Sequence, residues 1–147
     1  MTKIDFDVLA REVIQKLQRA EDIVLATSAG DKVTARTMCH VNDGLDVYFS
    51  TLHTSEKYRQ MIANPNVAFV LGNMQLEAIA ADCGHPNDSP AFGKLYAAKF
   101  PHLAGLYPPR DEDVVIKCTL TKVSLYKYMG TPSWEVLDVT ERAAYRL

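Results

Sequence analysis

Arg36, Ser50, Thr51, Thr54, Ser55 and Lys57 gather a guanidinium, an ammonium and a set of hydroxyls into one short stretch of the chain. A phosphate monoester needs concentrated positive charge and directed donors. Arginine supplies a planar fork, lysine a point charge, and the serines and threonines their hydroxyls. Thr54 or Ser55 also reads as the cap of a helix beginning there, since either side chain can accept a backbone N–H. The free N–H groups of that first turn would add to the anion field. The plainer alternative makes Arg36 and Lys57 solvated surface residues and Thr54 only a cap. Residue chemistry alone leaves both readings open.

The elements that must position these residues follow from hydrophobic periodicity. Val33–Val41 alternates, with Val33, Ala35, Thr37, Cys39 and Val41 on one face and Thr34, Arg36, Met38 and His40 on the other. Asn42-Asp43-Gly44 reads as the turn of a hairpin. Leu45–Thr51 alternates again, setting Leu45, Val47 and Phe49 against Asp46, Tyr48 and Ser50. The pattern predicts that Arg36 and Ser50 lie away from the apolar faces and that Cys39 is a buried, inert thiol. The next helix carries Tyr58, Met61 and Ile62 as its apolar stripe and ends at Asn64-Pro65.

Around this stretch, residues 3–19 place Phe6, Leu9, Val13 and Leu17 at helical spacing. Ile23–Ser28 is a buried strand by composition, and Val67–Leu71 and Met74–Ala81 flank a Gly72-Asn73 turn. Residues 82–111 are broken by proline and glycine, with a helix expected over Ala91–Phe100. This excursion between strands is where substrate specificity often resides. Val114–Leu120, Val123–Tyr128 and a short Ser133–Val139 return to strand. Many short strands with little helix predict a mainly β fold, a β-barrel or sandwich with attached helices.

The stretch LATSAGDKVTARTM…DVYFSTLHTSEKYRQMIANPNVAFVL resembles the FMN-binding split-barrel family typified by pyridoxamine 5′-phosphate oxidase. The shared pattern is an L-A-T-x turn, an arginine in the second strand, a Y-F-x-T strand end, an S-x-K helix start and an N-P-x-V strand entry. The resemblance implies that Arg36 binds the FMN phosphate, with Ser55 and Lys57 completing that site. It implies that the Thr37–Met38 backbone lies along the isoalloxazine edge and that Ser50 and Thr51 contact the flavin. Gln75 stands where the family places a glutamine reaching the flavin from the partner subunit, and Tyr126 near an aromatic beside the cofactor. A homodimer with flavin at the subunit interface is implied as well. The C-terminal arginine–histidine motif of authentic pyridoxamine phosphate oxidases has no counterpart in SWEVLDVTERAAYRL, so that reaction is not expected.

The remaining features narrow the function class. At 147 residues the chain fits one domain, 1–147, and its net charge of −2 offers no basic field for nucleic acid or anionic membrane. Apolar runs are strand-sized, the N-terminus lacks a signal core, and Cys39, Cys83 and Cys118 form no C-x-x-C pair, so a cytoplasmic protein is expected. His40, His53, His85 and His102 are scattered without metal-ligand spacing and read as loop or surface residues, so no metal is expected. No carboxylate pair suggests a catalytic acid and base, and flavin hydride transfer requires none. The expectation is an FMN-dependent oxidoreductase acting on a small substrate or electron donor. Its alternatives are a non-catalytic flavin-binding or redox-sensing module, or haem or deazaflavin in the same pocket.

Overall fold

The computed structural model describes Met1–Leu147. A short strand, β1 (Thr2–Ile4), leads into α1 (Phe6–Arg19), whose start is fixed by Asp5 accepting the Val8 N–H at 3.0 Å. Leu9, Ala10, Val13 and Leu17 recur on one face of α1 and are all buried, as a core-facing helix requires. The hairpin β2 (Asp22–Ala29) and β3 (Lys32–Cys39) turns at Gly30 and Asp31, both at positive φ. β4 (Val41–Asp43) and β5 (Asp46–Leu52) form the next hairpin. Then come α2 (Glu56–Ala63), β6 (Asn66–Leu71) and β7 (Met74–Asp82). Beyond a short turn of helix at Pro86–Asp88 lie α3 (Pro90–Lys99), β8 (Asp113–Lys127), β9 (Ser133–Asp138) and β10 (Ala143–Arg146).

All strands belong to one antiparallel sheet, in the order β1-β10-β9-β8-β7-β6-β2-β3, with β5 pairing β8 and carrying β4. The long strand β8 organises it. One edge of β8 pairs β7 over Ile116–Leu125, while the other pairs β5 over Asp113–Thr119 and β9 over Lys122–Lys127. Between those spans the register shifts: Glu77 faces Lys122, Ala78 faces Leu120, and Thr121 is the extra residue of a bulge. Its hydroxyl donates to the Glu77 carbonyl at 3.2 Å. A bulge bends its strand and raises the local twist, which lets one strand serve both parts of a split barrel. The mainly β fold with attached helices agrees with the sequence pattern. Inside it, α1 seats Leu9, Val13 and Leu17 against a cluster that includes Leu25, Phe49, Phe69, Leu76 and Leu125. No helix is long and apolar enough to cross a membrane.

Several local expectations are corrected. Val114–Leu120 and Val123–Tyr128 are one strand, because the polar Thr121-Lys122 interruption is a bulge and not a turn. β3 does not run on to Val41. The chain breaks at His40, leaves β2 and pairs β5, and the hairpin turn falls on Gly44 and Leu45, with Asn42 and Asp43 still in the strand. The faces of β3 are also inverted: Val33, Ala35, Thr37 and Cys39 are exposed, whereas Thr34, Arg36 and Met38 are half-buried. Arg36 pairs with buried Leu25, so it shares the inward face of β2, and Cys39 is an exposed thiol. β3 ends the sheet order with one edge unpaired, and its outer face is exposed along its length. In α2 Tyr58 and Met61 face the core as expected, but Gln60 is buried beside them and Ile62 is exposed. His40 is buried, contrary to its reading as a surface residue.

Candidate functional site

The site grows from the junction of β5 and α2. Thr51 is buried near the end of β5, and its Oγ1 lies 3.2 Å from Oγ of Ser55. Ser55 is the N-cap of α2: its side chain accepts the Tyr58 N–H at 3.3 Å, and its own N–H donates to the Leu52 carbonyl at 3.0 Å. Lys57 sits in the first turn that follows, half-buried.

Arg36 reaches this corner from β3. Its Nη1 donates to the Leu25 carbonyl at 3.1 Å and to Thr27 Oγ1 at 2.9 Å, and its Nη2 donates to Thr34 Oγ1. Both threonine hydroxyls donate in turn to Gln60 Oε1, whose amide Nε2 donates to the Lys32 carbonyl at 3.3 Å. Thr27 and Gln60 are buried, so this network fixes the guanidinium from behind without neutralising it. Sequence reasoning missed this support, because Thr27 read only as part of a buried strand and Gln60 was assigned no role.

Two cations meet at this corner without a carboxylate paired to either. Burial lowers the Lys57 pKa from its ordinary value, and the Arg36 charge lowers it further. Burial likewise lowers that of Arg36, with Glu56 opposing. Glu56 is the nearby carboxylate, yet it is engaged with Lys32 at 2.7 Å, and every ion pair in the protein excludes Arg36 and Lys57. Cations that destabilise each other at partly buried positions favour an anion between them. A phosphate group fits this donor set: a guanidinium, an ammonium, the Ser55 hydroxyl and the first turn of α2.

Thr51 connects the corner to a cavity of about 600 Å³. Met38, Tyr48, Ser50 and Thr51 line it from the barrel, while Phe92, Tyr96 and Tyr107 close it from the excursion over residues 82–111. The volume lies within the usual range for small-molecule sites. Ser50 is exposed on the outward face of β5, as the alternation predicts. His40 also lines the cavity. Its Nε2 lies 2.9 Å from the Leu17 carbonyl and 3.3 Å from Lys99 Nζ. Burial first, and then Lys99, push the His40 pKa down to about 4, so the ring is neutral at pH 7.

The structure thus brings Arg36, Met38, Ser50, Thr51, Ser55 and Lys57 to one corner and its adjoining cavity. It leaves others apart. The Thr37 side chain points out on the exposed face of β3, so only its backbone belongs to this region. Gln75 is exposed on β7, opposite Val70 and Ser124, and does not line the cavity. Tyr126 stacks on Trp134 and Tyr128, with ring centroids 4.9 and 5.7 Å apart, also away from it. The cavity wall from the excursion was unassigned from sequence, although Phe92, Tyr96 and Phe100 recur every four residues, the spacing of one helix face.

No family model matches the sequence, and no curated protein matches it. Solved structures do. A Listeria innocua protein assigned as a pyridoxamine 5′-phosphate oxidase superposes with a TM-score of 0.67 at 19% identity, covering 80% of this chain and 97% of its own. The general stress protein 26 of Bacillus anthracis gives 0.65 at 23%, covering 78% and 91%. An FAD-binding protein of Mesorhizobium loti gives 0.61 at 13%, covering 78% and 91%. At these identities the likeness establishes the fold.

Proposed function

We propose that this chain, which has the split-barrel fold of pyridoxamine 5′-phosphate oxidase-like proteins, binds FMN non-covalently and acts as an FMN-dependent oxidoreductase on a small substrate. The observation that carries the reading is the juxtaposition of Arg36 and Lys57, without a carboxylate partner, at the capped start of α2 beside a cavity of about 600 Å³. Arg36, Lys57 and Ser55 hold the phosphate in this reading. Ser50, Thr51 and the Thr37–Met38 backbone border the ring. The bound flavin supplies hydride or electron transfer, and the chain supplies binding, orientation and exclusion of water. The FAD-binding neighbour of the same fold supports a flavin in this architecture.

The working unit in this reading is a cytoplasmic homodimer with flavin at the subunit interface. Gln75 supports it: the residue stands on the outer face of β7 near exposed Val70 and Ile79, apart from its own subunit's cavity. Tyr126, stacked on half-exposed Trp134, belongs to the same proposal. The test is the visible spectrum of the purified protein, with the released chromophore weighed by mass spectrometry. The expected result is an oxidised flavin spectrum with FMN released. A Soret band moves the reading to haem, a released deazaflavin to that coenzyme, and a colourless protein that refuses added FMN removes it. Flavin that no reductant reduces indicates a binding or sensing module.

A further inference from the structure

We infer that the half of the cavity walled by residues 86–110 is a compartment for a second ligand, and that it selects an uncharged, flat aromatic carbonyl compound of the quinone type over phosphorylated molecules. This rests on the FMN reading for what occupies the corner beside it, and on the wall's own residues for the rest.

The wall is an aromatic ladder. Phe92, Tyr96 and Phe100 follow one another at four-residue steps along α3, with successive ring centroids 6.0 and 5.2 Å apart. Phe100 is buried and anchors the end of the helix, where Lys99 Nζ also donates to the Leu17 carbonyl at 3.1 Å. Phe92 and Tyr96 stay half-buried and line the cavity, joined by Leu103, Tyr107 and Pro108. Aromatic faces at these spacings favour another flat ring through offset stacking.

Of the residues that line the cavity only Arg110 is a cation, and Lys99, on the same stretch but behind the lining, donates to the Leu17 carbonyl. Arg110 is committed to Asp113: Nη2 lies 3.5 Å from Oδ1, and the Arg110 N–H donates to Oδ2 at 2.7 Å. His40 is neutral at pH 7. Burial, and then Asp22, push the Cys39 thiol up, so it too is uncharged. A carboxylate or phosphate brought here would lose water without gaining a partner, which is costly. What the cavity offers instead are hydroxyl donors, Tyr96 and Tyr107 from this wall and Tyr48 from the barrel side facing it. Burial raises the Tyr96 pKa, so this hydroxyl keeps its proton and can donate to a carbonyl oxygen. The two ends of the site therefore differ in kind, cationic at Arg36 and Lys57, neutral and aromatic under α3.

The experiment is calorimetric titration of the full chain, FMN-free and FMN-loaded, with menadione and separately with pyridoxine 5′-phosphate. Menadione is expected to bind both forms, and pyridoxine 5′-phosphate to bind the FMN-loaded form at least tenfold more weakly. Phe92→Ala with Tyr96→Ala should weaken menadione about tenfold or more, the scale expected from lost aromatic contact, and leave FMN retention unchanged. Tyr96→Phe, which keeps the ring, should cost only a few-fold. Menadione binding to neither form, binding unaffected by both variants, or tighter binding of the phosphate to FMN-loaded protein would overturn the inference. Menadione binding that responds to these variants in a protein that takes up no FMN supports the compartment and removes the FMN reading alone.

Discussion

The hydroxyls of Thr51 and Ser55 stand 3.2 Å apart, one near the end of a barrel strand and the other capping the helix that follows. The contact ties the start of α2 to the rim of the cavity, so in the FMN reading the cap residue serves stability and phosphate binding together. Ser55→Ala removes the acceptor for the Tyr58 N–H and should cost about 1 kcal/mol of stability. Ser55→Asp keeps a cap but places negative charge where the phosphate is proposed to lie. The expected outcome is a near-parental melting temperature for Ser55→Asp with FMN retention lost. Thermal melts and retained flavin after gel filtration check it, and full retention by Ser55→Asp would sink the role given to Ser55.

Arg36→Ala with Lys57→Ala should abolish FMN retention while leaving the circular dichroism spectrum intact. Hydrogen bonds to charged groups contribute about 1.5–3 kcal/mol each, so losing both cations should raise Kd by at least about a hundredfold. Fluorescence titration with FMN measures it. A double variant that binds FMN like the parent removes the phosphate site.

Gln60→Leu tests the support behind Arg36. Gln60 Oε1 accepts from Thr27 and Thr34, both of which also accept from the guanidinium. Removing the amide leaves the buried Thr27 hydroxyl and the half-buried Thr34 hydroxyl without that acceptor, at about 1–3 kcal/mol. FMN affinity should fall about tenfold although Gln60 itself does not line the cavity, the order expected for one such loss. Unchanged affinity in a folded variant would show that Arg36 needs no such bracing.

His40 predicts a pH dependence of stability. Its pKa falls from 6.5 to about 4 in the folded protein, through burial and then the Lys99 charge, with Asp22 and the Leu17 carbonyl opposing. The unfolded chain therefore binds more protons between those values. The stabilisation is fully present above pH 6.5 and is lost as pH falls towards 4, by roughly 3 kcal/mol in all. Urea midpoints across that range should decline for the parent, and His40→Gln should flatten the decline. A parent curve level across that window would contradict the assigned burial.

Legibility in the sequence varied with how local the cause was. The amphipathic α1, the Ser55 cap and the alternation of β5 and β7 are fixed by neighbouring residues, and they could be read directly. The orientation of β3 could not. Val33, Ala35 and Cys39 look like a core face but are exposed, because the cover on each face of a strand is a tertiary fact. The same limit hid His40, whose partners Leu17 and Lys99 lie far away in sequence. Thr121-Lys122 resembled a break because a bulge and a turn share polar residues. β1 and β10 are too short to carry a period. Within the site, Arg36, Ser55 and Lys57 could be proposed from type and spacing, whereas the aromatic wall needed the excursion to be folded back over the barrel.

The helix that closes the cavity buries none of its own residues, and its firm attachment is at one end, through Phe100 and Lys99. A unit so lightly held opens at far less cost than the middle of the sheet, where β7 and β8 are bonded along both edges. Amide hydrogens of α3 should therefore exchange with deuterium well before those of β7 and β8. Traffic through the cavity then has its own clock: residence times of anything under α3 are set by local opening of that helix, and they can be lengthened or shortened without altering the melting temperature of the protein.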